Sequence, residues 1–248
     1  MKLQEVFDQL TYGELSQLSI GGGEAGMIAP VAYDRVLAHV NLGLATLYKR
    51  FLLKEGRITL QLSPVQEEYK LLSKYAVSSK TSKEPVRYIK DSAASPFKDD
   101  IIKVERVLGD TGWEYNLNNM DDKLGMVTPT ATVLRVPKDI LIPPNDLPED
   151  MRTANLELVY RAAHPAITPE GVDLEPDMVE LELPYTHLEP LLLFIASRVH
   201  TPTGMMNETN MGNTYFARYE AACQQLENAG LLLDRASQTN RLERGGWV

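Results

Sequence analysis

Apolar residues near the amino terminus recur at helical spacing. The first four predict a short helix, since they fall at positions i, i+3, i+4 and i+7 (Leu3, Val6, Phe7 and Leu10). Thr11 is suited to cap a second short helix that would end at the glycines at 21–23. A longer helix is predicted over 31–53 and is expected to stop at Gly56, because its apolar residues again share one face (Val36, Leu37, Val40, Leu44, Leu47, Tyr48 and Phe51).

The hydrophobic period changes to two from Arg57 onward, which is typical of strands with one buried face. Ile58, Leu60 and Leu62 alternate there with polar residues. Further short strands are predicted at 68–72, 101–108, 113–117, 132–136, 156–162 and 179–183. Turn-rich polar stretches separate these strands, so residues 57–183 predict an antiparallel sheet or a small sandwich with long loops.

Helical spacing returns after the predicted sheet. Thr186 and Glu189 fit a capping box ahead of one helix, and a last helix is predicted to end at Ala229 after starting between 207 and 213. Amphipathic helices bury their apolar faces against one another. The predicted class is therefore α+β: a helical bundle built from the N- and C-terminal segments, a central antiparallel β-rich insertion and an extended C-terminal arm. The corresponding ranges are 1–56 with 184–233, then 57–183, and finally 234–248.

Composition places the chain among ordinary globular proteins. Its 248 residues are 44% hydrophobic and 24% charged, which is enough to form a substantial buried core. No stretch reaches the roughly 18 apolar residues of a membrane span, and the acidic start is unlike a secretory signal, so we expect no membrane association. Cys223 is the single cysteine, which excludes an internal disulfide and suits a small buried hydrophobic residue.

The formal net charge is −9, and the acidic residues are unevenly distributed. Eleven acidic residues and three basic ones lie between Lys138 and Glu182, so this segment alone contributes −8. Such acidity argues against binding of DNA over the whole surface, although it leaves room for a local basic patch. The simplest interpretation of the segment is a solvated face. The alternative is a surface that repels an anionic molecule or contacts a basic partner.

The sequence contains no convincing motif for catalysis, cofactor binding or metal binding. Residues 21–26 match G-x-G-x-x-G, but they follow a predicted helix and no strand–helix alternation comes after them. Asp173, Glu175 and Asp177 alternate as in a calcium loop, without its turn glycine or closing glutamate. The four histidines lack zinc-site spacing. We therefore expect no catalytic residues, no cofactor and no metal, and a protein that is not an enzyme.

The last fifteen residues have the composition of a docking segment. Three arginines punctuate a polar stretch, and a tryptophan follows a Gly-Gly pair next to the final residue. Tryptophan and arginine dominate binding hot spots, and a segment of this kind would become ordered on docking. The alternative is a frayed or self-packed terminus. The candidate binding residues are Arg235, Arg241, Leu242, Arg244, Trp247 and Val248.

Six blocks of sequence carry a family resemblance. They are 3–16 (LQEVFDQLTYGELS), 40–51 (VNLGLATLYKRF), 183–189 (LPYTHLE), 196–200 (ASRVH), 219–223 (YEAAC) and 240–248 (NRLERGGWV). Together they resemble the head-to-tail adaptors, or connectors, of tailed bacteriophages, which are similar to the tail tubular proteins (type A) of short-tailed phages. The resemblance covers residues 1–62 and 183–248 well and the central region more loosely.

The resemblance implies a structural virion protein in the neck of the particle, assembled in the host cytoplasm. It implies a helical part that docks beneath the portal and a β-rich part that faces the tail tube or nozzle protein, in homo-oligomeric rings that are usually twelve-fold, that is, dodecamers. The C-terminal arm would contact the portal ring, which makes its six candidate residues portal-binding residues.

Two further expectations follow from the resemblance. Double-stranded DNA would pass through the ring during genome retention and ejection without sequence-specific binding, and an acidic lumen would let it slide by repelling phosphate. Another virion component, such as a head-completion protein or a tail-attached carbohydrate-binding module, is the alternative. An enzyme acting on phage or host polymers is a third hypothesis, for which the sequence offers no polar cleft.

Overall fold

The computed structural model describes residues 1–22, 24–119, 126–141, 153–168, 175–200 and 206–229. Over these ranges the chain forms four α-helices and two antiparallel sheets, which confirms the predicted α+β class. The helices are α1 (Leu3–Tyr12), α2 (Tyr33–Arg50), α3 (Leu188–His200) and α4 (Met206–Asn228). The strands are β1 (Glu55–Gln61), β2 (Glu68–Lys70), β3 (Ile89–Lys90), β4 (Ile101–Gly109), β5 (Thr128–Pro129), β6 (Val133–Arg135) and β7 (Asn155–Ala162).

The described residues divide into two compact units. The helical unit contains residues 1–53 and the described residues from 164 to 229, whereas the β unit contains the described residues from 54 to 163. The sequence placed the second boundary at 183/184, about twenty residues later. The boundary differs because the backbone of residues 176–181 forms hydrogen bonds with residues 1–4, at the start of the helical unit.

The amino-terminal end of α1 is capped by the backbone of residues 176–179. The first amides of a helix have no partners within it. Here the amide of Leu3 donates to the Val179 carbonyl at 2.9 Å, and the amide of Gln4 donates to the Pro176 carbonyl at 3.0 Å. Residues 179–183 therefore form a single β-bridge, between Glu180 and Lys2, and the strand predicted there is wrong.

α1 buries the four apolar residues that predicted it. The second short helix predicted after it is wrong, because Thr11, its predicted cap, lies within α1 and residues 13–17 form turns. The amide of Gly13 still bonds to the Gln9 carbonyl at 2.8 Å, and tight turns then carry the chain past the buried Leu15.

α2 buries the predicted apolar face but is shorter than predicted. It begins after a 3-10 turn at Pro30–Ala32 and ends at Arg50, and Gly56 lies within β1 instead of ending the helix. Gly43 marks the close approach of α2 to α3. A Cβ atom there would lie 2.6 Å from Leu191 Cδ1 and 3.1 Å from Phe194 Cδ1.

α3 begins at Leu188 after a 3-10 turn at Tyr185–His187, so Thr186 lies one position too early to be its N-cap. The predicted capping box is therefore wrong, and the Thr186 hydroxyl contacts His187 Nδ1 at 3.0 Å. α4 agrees with its prediction to within one residue at each end. It packs on α3 through an edge-to-face pair of Phe194 and Tyr219, with ring centroids 5.4 Å apart.

The β unit is built on a four-stranded sheet of order β3-β1-β7-β4 beside a three-stranded sheet of order β2-β6-β5. β1 pairs with β7 along its whole length, from Glu55 opposite Arg161 to Gln61 opposite Asn155. Apolar residues of both sheets fill one core, including Leu60, Leu134 and Leu158.

Most of the predicted strands are present in the β unit. The strand predicted at 113–117 is wrong, since that segment makes only isolated bridges at Glu114 and Leu117. The two-residue strands β3 and β5 were not predicted.

Within the described ranges, no helix combines the length and apolar character needed to cross a bilayer.

Candidate functional site

The six predicted portal-binding residues lie outside the residues that the structure describes. They are Arg235, Arg241, Leu242, Arg244, Trp247 and Val248. The last described residue is Ala229, directly after α4. What the structure describes is therefore the body to which this arm is attached.

The other five blocks that carry the resemblance all lie in the helical unit, and several contact one another there. Arg50, from the block at 40–51, joins the block at 219–223, because its Nη1 lies 2.7 Å from Glu220 Oε2. Its Nε lies 2.7 Å from Glu227 Oε1. The hydrogen bond with Glu227, assisted by the one with Glu220, raises the pKa of the Arg50 guanidinium, so α2 and α4 are joined by a permanently charged group.

A second junction lies at the carbonyl of Glu14. The Tyr215 hydroxyl donates to this oxygen at 3.2 Å, and His200 Nε2 lies 3.4 Å from it. The rings of His200 and Tyr215 stack with centroids 5.1 Å apart. The end of α3, the middle of α4 and the turn after α1 therefore meet at one backbone atom.

The segment that enters the helical unit after the sheet is bound to α2. The Asn41 side chain both donates to the Ile167 carbonyl at 2.8 Å and accepts from the Ile167 amide at 2.9 Å. The Tyr48 hydroxyl donates to the Glu182 carbonyl. Burial, with a smaller contribution from the Glu182 charge, raises the pKa of Tyr48 to about 12, so this hydroxyl remains a donor at neutral pH. These contacts hold the segment after the sheet against α2.

Where the structure describes them, the motifs considered in the sequence are not brought together into a site for chemistry. The glycine-rich segment is a tight connection between α1 and α2, in which the Gly26 amide donates to the Leu18 carbonyl at 2.8 Å. Asp173 of the acidic triplet lies outside the described residues, while Glu175 and Asp177 are exposed. Among the residues that the structure describes, no group of three or more His, Cys, Asp or Glu side chains is placed to hold a metal ion. Cys223 is buried, which raises the pKa of its thiol.

His187 is the most buried histidine, with 1% of its surface exposed. Its ring lies edge-on to Phe51, with centroids 4.9 Å apart, and Nε2 has no hydrogen-bond partner among the described residues. Burial lowers the pKa of His187, because a positive charge there would be poorly solvated.

Acidification is expected to destabilise the protein through His187. Its folded pKa lies below the unfolded value of about 6.5, so the unfolded state binds more protons as the pH falls. The contribution of neutral His187 to the free energy of unfolding is fully present above about pH 6.5 and decreases as the pH falls below that value. Urea unfolding should show a larger loss of unfolding free energy between about pH 7.5 and 5.5 in the wild type than in His187→Gln. Equal losses in both proteins would contradict this assignment.

The β unit has a basic surface that the sequence analysis missed. We call residues 74–90 the basic loop. Its five bases are all exposed, and its single acidic residue, Glu84, pairs with Lys74 at 2.7 Å. In the described ranges no ion pair holds the other four bases, Lys80, Lys83, Arg87 and Lys90.

Internal bonds give the basic loop a defined shape. The Arg87 guanidinium donates to the Ser82 carbonyl at 2.9 Å, and the Ser78 amide donates to Asp91 Oδ1 at 2.8 Å. Burial acts to raise the pKa of Asp91, but hydrogen bonds from Ser78 and Phe97 outweigh it and lower the pKa. Within the loop Tyr75 stacks on Tyr88, with ring centroids 5.0 Å apart. A charge count over 70–103, which gives eight bases and four acids, could have revealed this surface.

Several other charged side chains of the β unit form ion pairs. A cleft of about 730 Å³ is bordered by the pairs Arg135–Glu68, at 3.7 Å, and Lys138–Glu67, at 3.2 Å. Arg161 and Glu105 form a buried pair at 3.0 Å, with 9% and 7% of their side chains exposed. A buried pair of this kind is retained because separating the charges would be costly.

No protein-family model matches the chain, and no curated protein matches it either. A functional assignment therefore depends on the sequence blocks and on the arrangement of the residues described above.

Proposed function

We propose that the protein is a head-to-tail adaptor of a short-tailed bacteriophage. It is a structural virion protein that forms a ring between the portal and the tail tube or nozzle. The observation that carries the proposal is that five separate sequence blocks resembling this family lie in one helical unit. Arg50 with Glu220 joins two of these blocks by direct contact, and the Glu14 carbonyl with His200 joins two others. Blocks far apart in sequence thus contribute to one body, as expected if the resemblance reflects a shared structure.

In this proposal the helical unit is the bundle that docks beneath the portal, and the arm over 234–248 extends from it into the portal ring. The β unit faces the tail component. Twelve copies match the portal symmetry and surround the DNA channel, through which the genome is retained and later ejected. The protein carries out no catalysis and needs no cofactor, because its role is to join two rings in the neck of the virion.

Association with the portal tests the proposed function. Purified protein mixed with rings of the cognate portal protein should co-sediment with them at about one copy per portal subunit. Portal rings saturated with the protein should then capture the tail tube or nozzle protein, whereas bare portal rings should not. Absence of co-sedimentation would overturn the proposal.

The position of the protein in intact particles separates the proposal from its alternative. A gold label on the protein should lie at the neck. A label at the tip of the tail would favour a carbohydrate-binding module, and a label inside the head vertex without tail contact would favour a head-completion protein. Glycan turnover by the purified protein would instead support an enzyme.

A further inference from the structure

The helical unit presents an acidic surface, formed by residues 175–180, which we call the acidic strip. Glu175, Asp177 and Glu180 are exposed, and no ion pair within the described ranges holds their carboxylates. Met178 lies between them with 74% of its surface exposed. The strip has a fixed backbone, since the carbonyls of Pro176 and Val179 accept hydrogen bonds from the first amides of α1.

The basic loop of the β unit has the opposite character. The exposed Lys80, Lys83 and Lys90 share the loop with two exposed apolar side chains, Val77 and Val86, which are 48% and 56% exposed. Protein interfaces commonly combine an apolar centre with a polar or charged rim. The loop and the strip each have this composition, with rims of opposite charge.

We propose that the basic loop of one copy binds the acidic strip of a second copy. The inference rests on the proposed function and deepens it by naming a contact between neighbouring copies of the ring. Each copy carries both surfaces, so the contact joins two different patches. Such heterologous contacts propagate from copy to copy, and they close into a ring when the rotation permits.

A protein partner fits the basic loop better than nucleic acid does. The chain carries a formal charge of −9, so its net charge disfavours the approach of a DNA duplex. Val77 and Val86 would gain nothing from a phosphate backbone, whereas Met178 of a second copy offers them an apolar contact. The acidic strip thus supplies opposite charge for the lysines of the loop and an apolar partner for its valines.

Charge reversal on each surface tests the contact. The loop variant carries Lys80→Glu, Lys83→Glu and Lys90→Glu, and the strip variant carries Glu175→Lys, Asp177→Lys and Glu180→Lys. Each variant has two surfaces of like charge, so neither should bind to itself. In an equal mixture, however, the loop of each variant faces a strip of opposite charge on the other.

Net charge does not explain association in that mixture. Every reversal changes the charge by two, so the loop variant has a formal charge of −15 and the strip variant −3. Both proteins remain negative and repel each other at long range. Association in the mixture would therefore indicate local complementarity between loop and strip.

Sedimentation velocity over a concentration series measures the result. The wild type should self-associate in low salt and dissociate in high salt, because exposed ion pairs are screened. Each variant alone should bind to itself at least about tenfold more weakly, and the mixture should recover the wild-type affinity. The inference is overturned if the wild type stays monomeric, if the mixture does not recover, or if loop reversal removes only binding to a DNA duplex.

The portal assay distinguishes a failure of the loop–strip contact from a failure of the proposed function. If the mixture does not recover the self-association of the wild type, but the wild-type protein binds portal rings, the contact is rejected and the adaptor function stands. Recovery without portal binding would reject the adaptor function and leave the contact standing.

Discussion

Deletion of residues 245–248 is expected to abolish binding to the portal ring while leaving both units folded. The change removes Trp247, the one large aromatic residue beyond the end of α4. A tryptophan inserted in a pocket between subunits typically contributes about 2–4 kcal/mol to binding. Its loss alone, in Trp247→Ala, should therefore weaken binding to the portal by at least about 30-fold.

The described part of the molecule explains why the fold should survive. α4 is fixed by the two carboxylates that bond Arg50 and by the packing of Tyr219 on Phe194, all at or before residue 227. The chain beyond Ala229 would span roughly 60 Å if it were fully extended, so its tip can reach a neighbouring molecule. Removal of that tip leaves every contact described above intact.

The second tryptophan of the chain gives a matched control. Trp113 lies in the β unit with 40% of its surface exposed, so Trp113→Ala changes the same residue type away from the arm. Binding of the truncated, Trp247→Ala and Trp113→Ala proteins to portal rings should be compared by co-sedimentation. In a Trp113→Phe protein, Trp247 is the sole tryptophan, and its emission should shift to shorter wavelength on binding.

Two outcomes would reject the role of the arm. One is equal binding of the truncated and complete proteins to the portal. The other is loss of binding in Trp113→Ala but not in Trp247→Ala, which would move the contact to the β unit. Unchanged circular dichroism and urea midpoints establish that each variant is folded.

The long amphipathic helices could be predicted from the sequence because their period is unambiguous. The stripe from Val36 to Tyr48 in α2 is buried as predicted. Short segments were mispredicted where tertiary bonds override local pattern. Residues 179–183 alternate like a strand, yet their backbone groups bond to Met1 and Leu3 because the first turn of α1 needs acceptors. Nothing local in the sequence indicates that requirement.

The candidate site was predictable only in part. The arginines and tryptophan of the arm, which are visible in the sequence, predict that it binds the portal, and this role stays a prediction. The basic loop was missed because its bases are interspersed with serines and a proline. Only bonds such as that from Arg87 to the Ser82 carbonyl show that these residues belong to one ordered loop.

Gly56→Val is expected to lower the free energy of unfolding by about 3 kcal/mol, from overpacking together with the loss of a partly buried hydrogen bond. Gly56 lies opposite Tyr160 in the β1–β7 pair, and the ring covers it. A Cβ atom there would lie 2.4 Å from Tyr160 Cζ, which forces the ring to move. The buried ring also donates a hydrogen bond from its hydroxyl to Asp100 Oδ1 at 3.1 Å, so displacement breaks that bond as well.

A double-mutant cycle in urea separates this clash from a general effect of valine in β1. Thr59→Val places the same residue on the same strand, on the face opposite to Gly56, and should change the unfolding free energy by less than about 0.5 kcal/mol. Tyr160→Leu removes the ring, so Gly56→Val in that background should cost at least about 1 kcal/mol less than in the wild type. Equal costs in both backgrounds would show that the ring does not cause the destabilisation, and the close approach of Gly56 to Tyr160 would then have no energetic role.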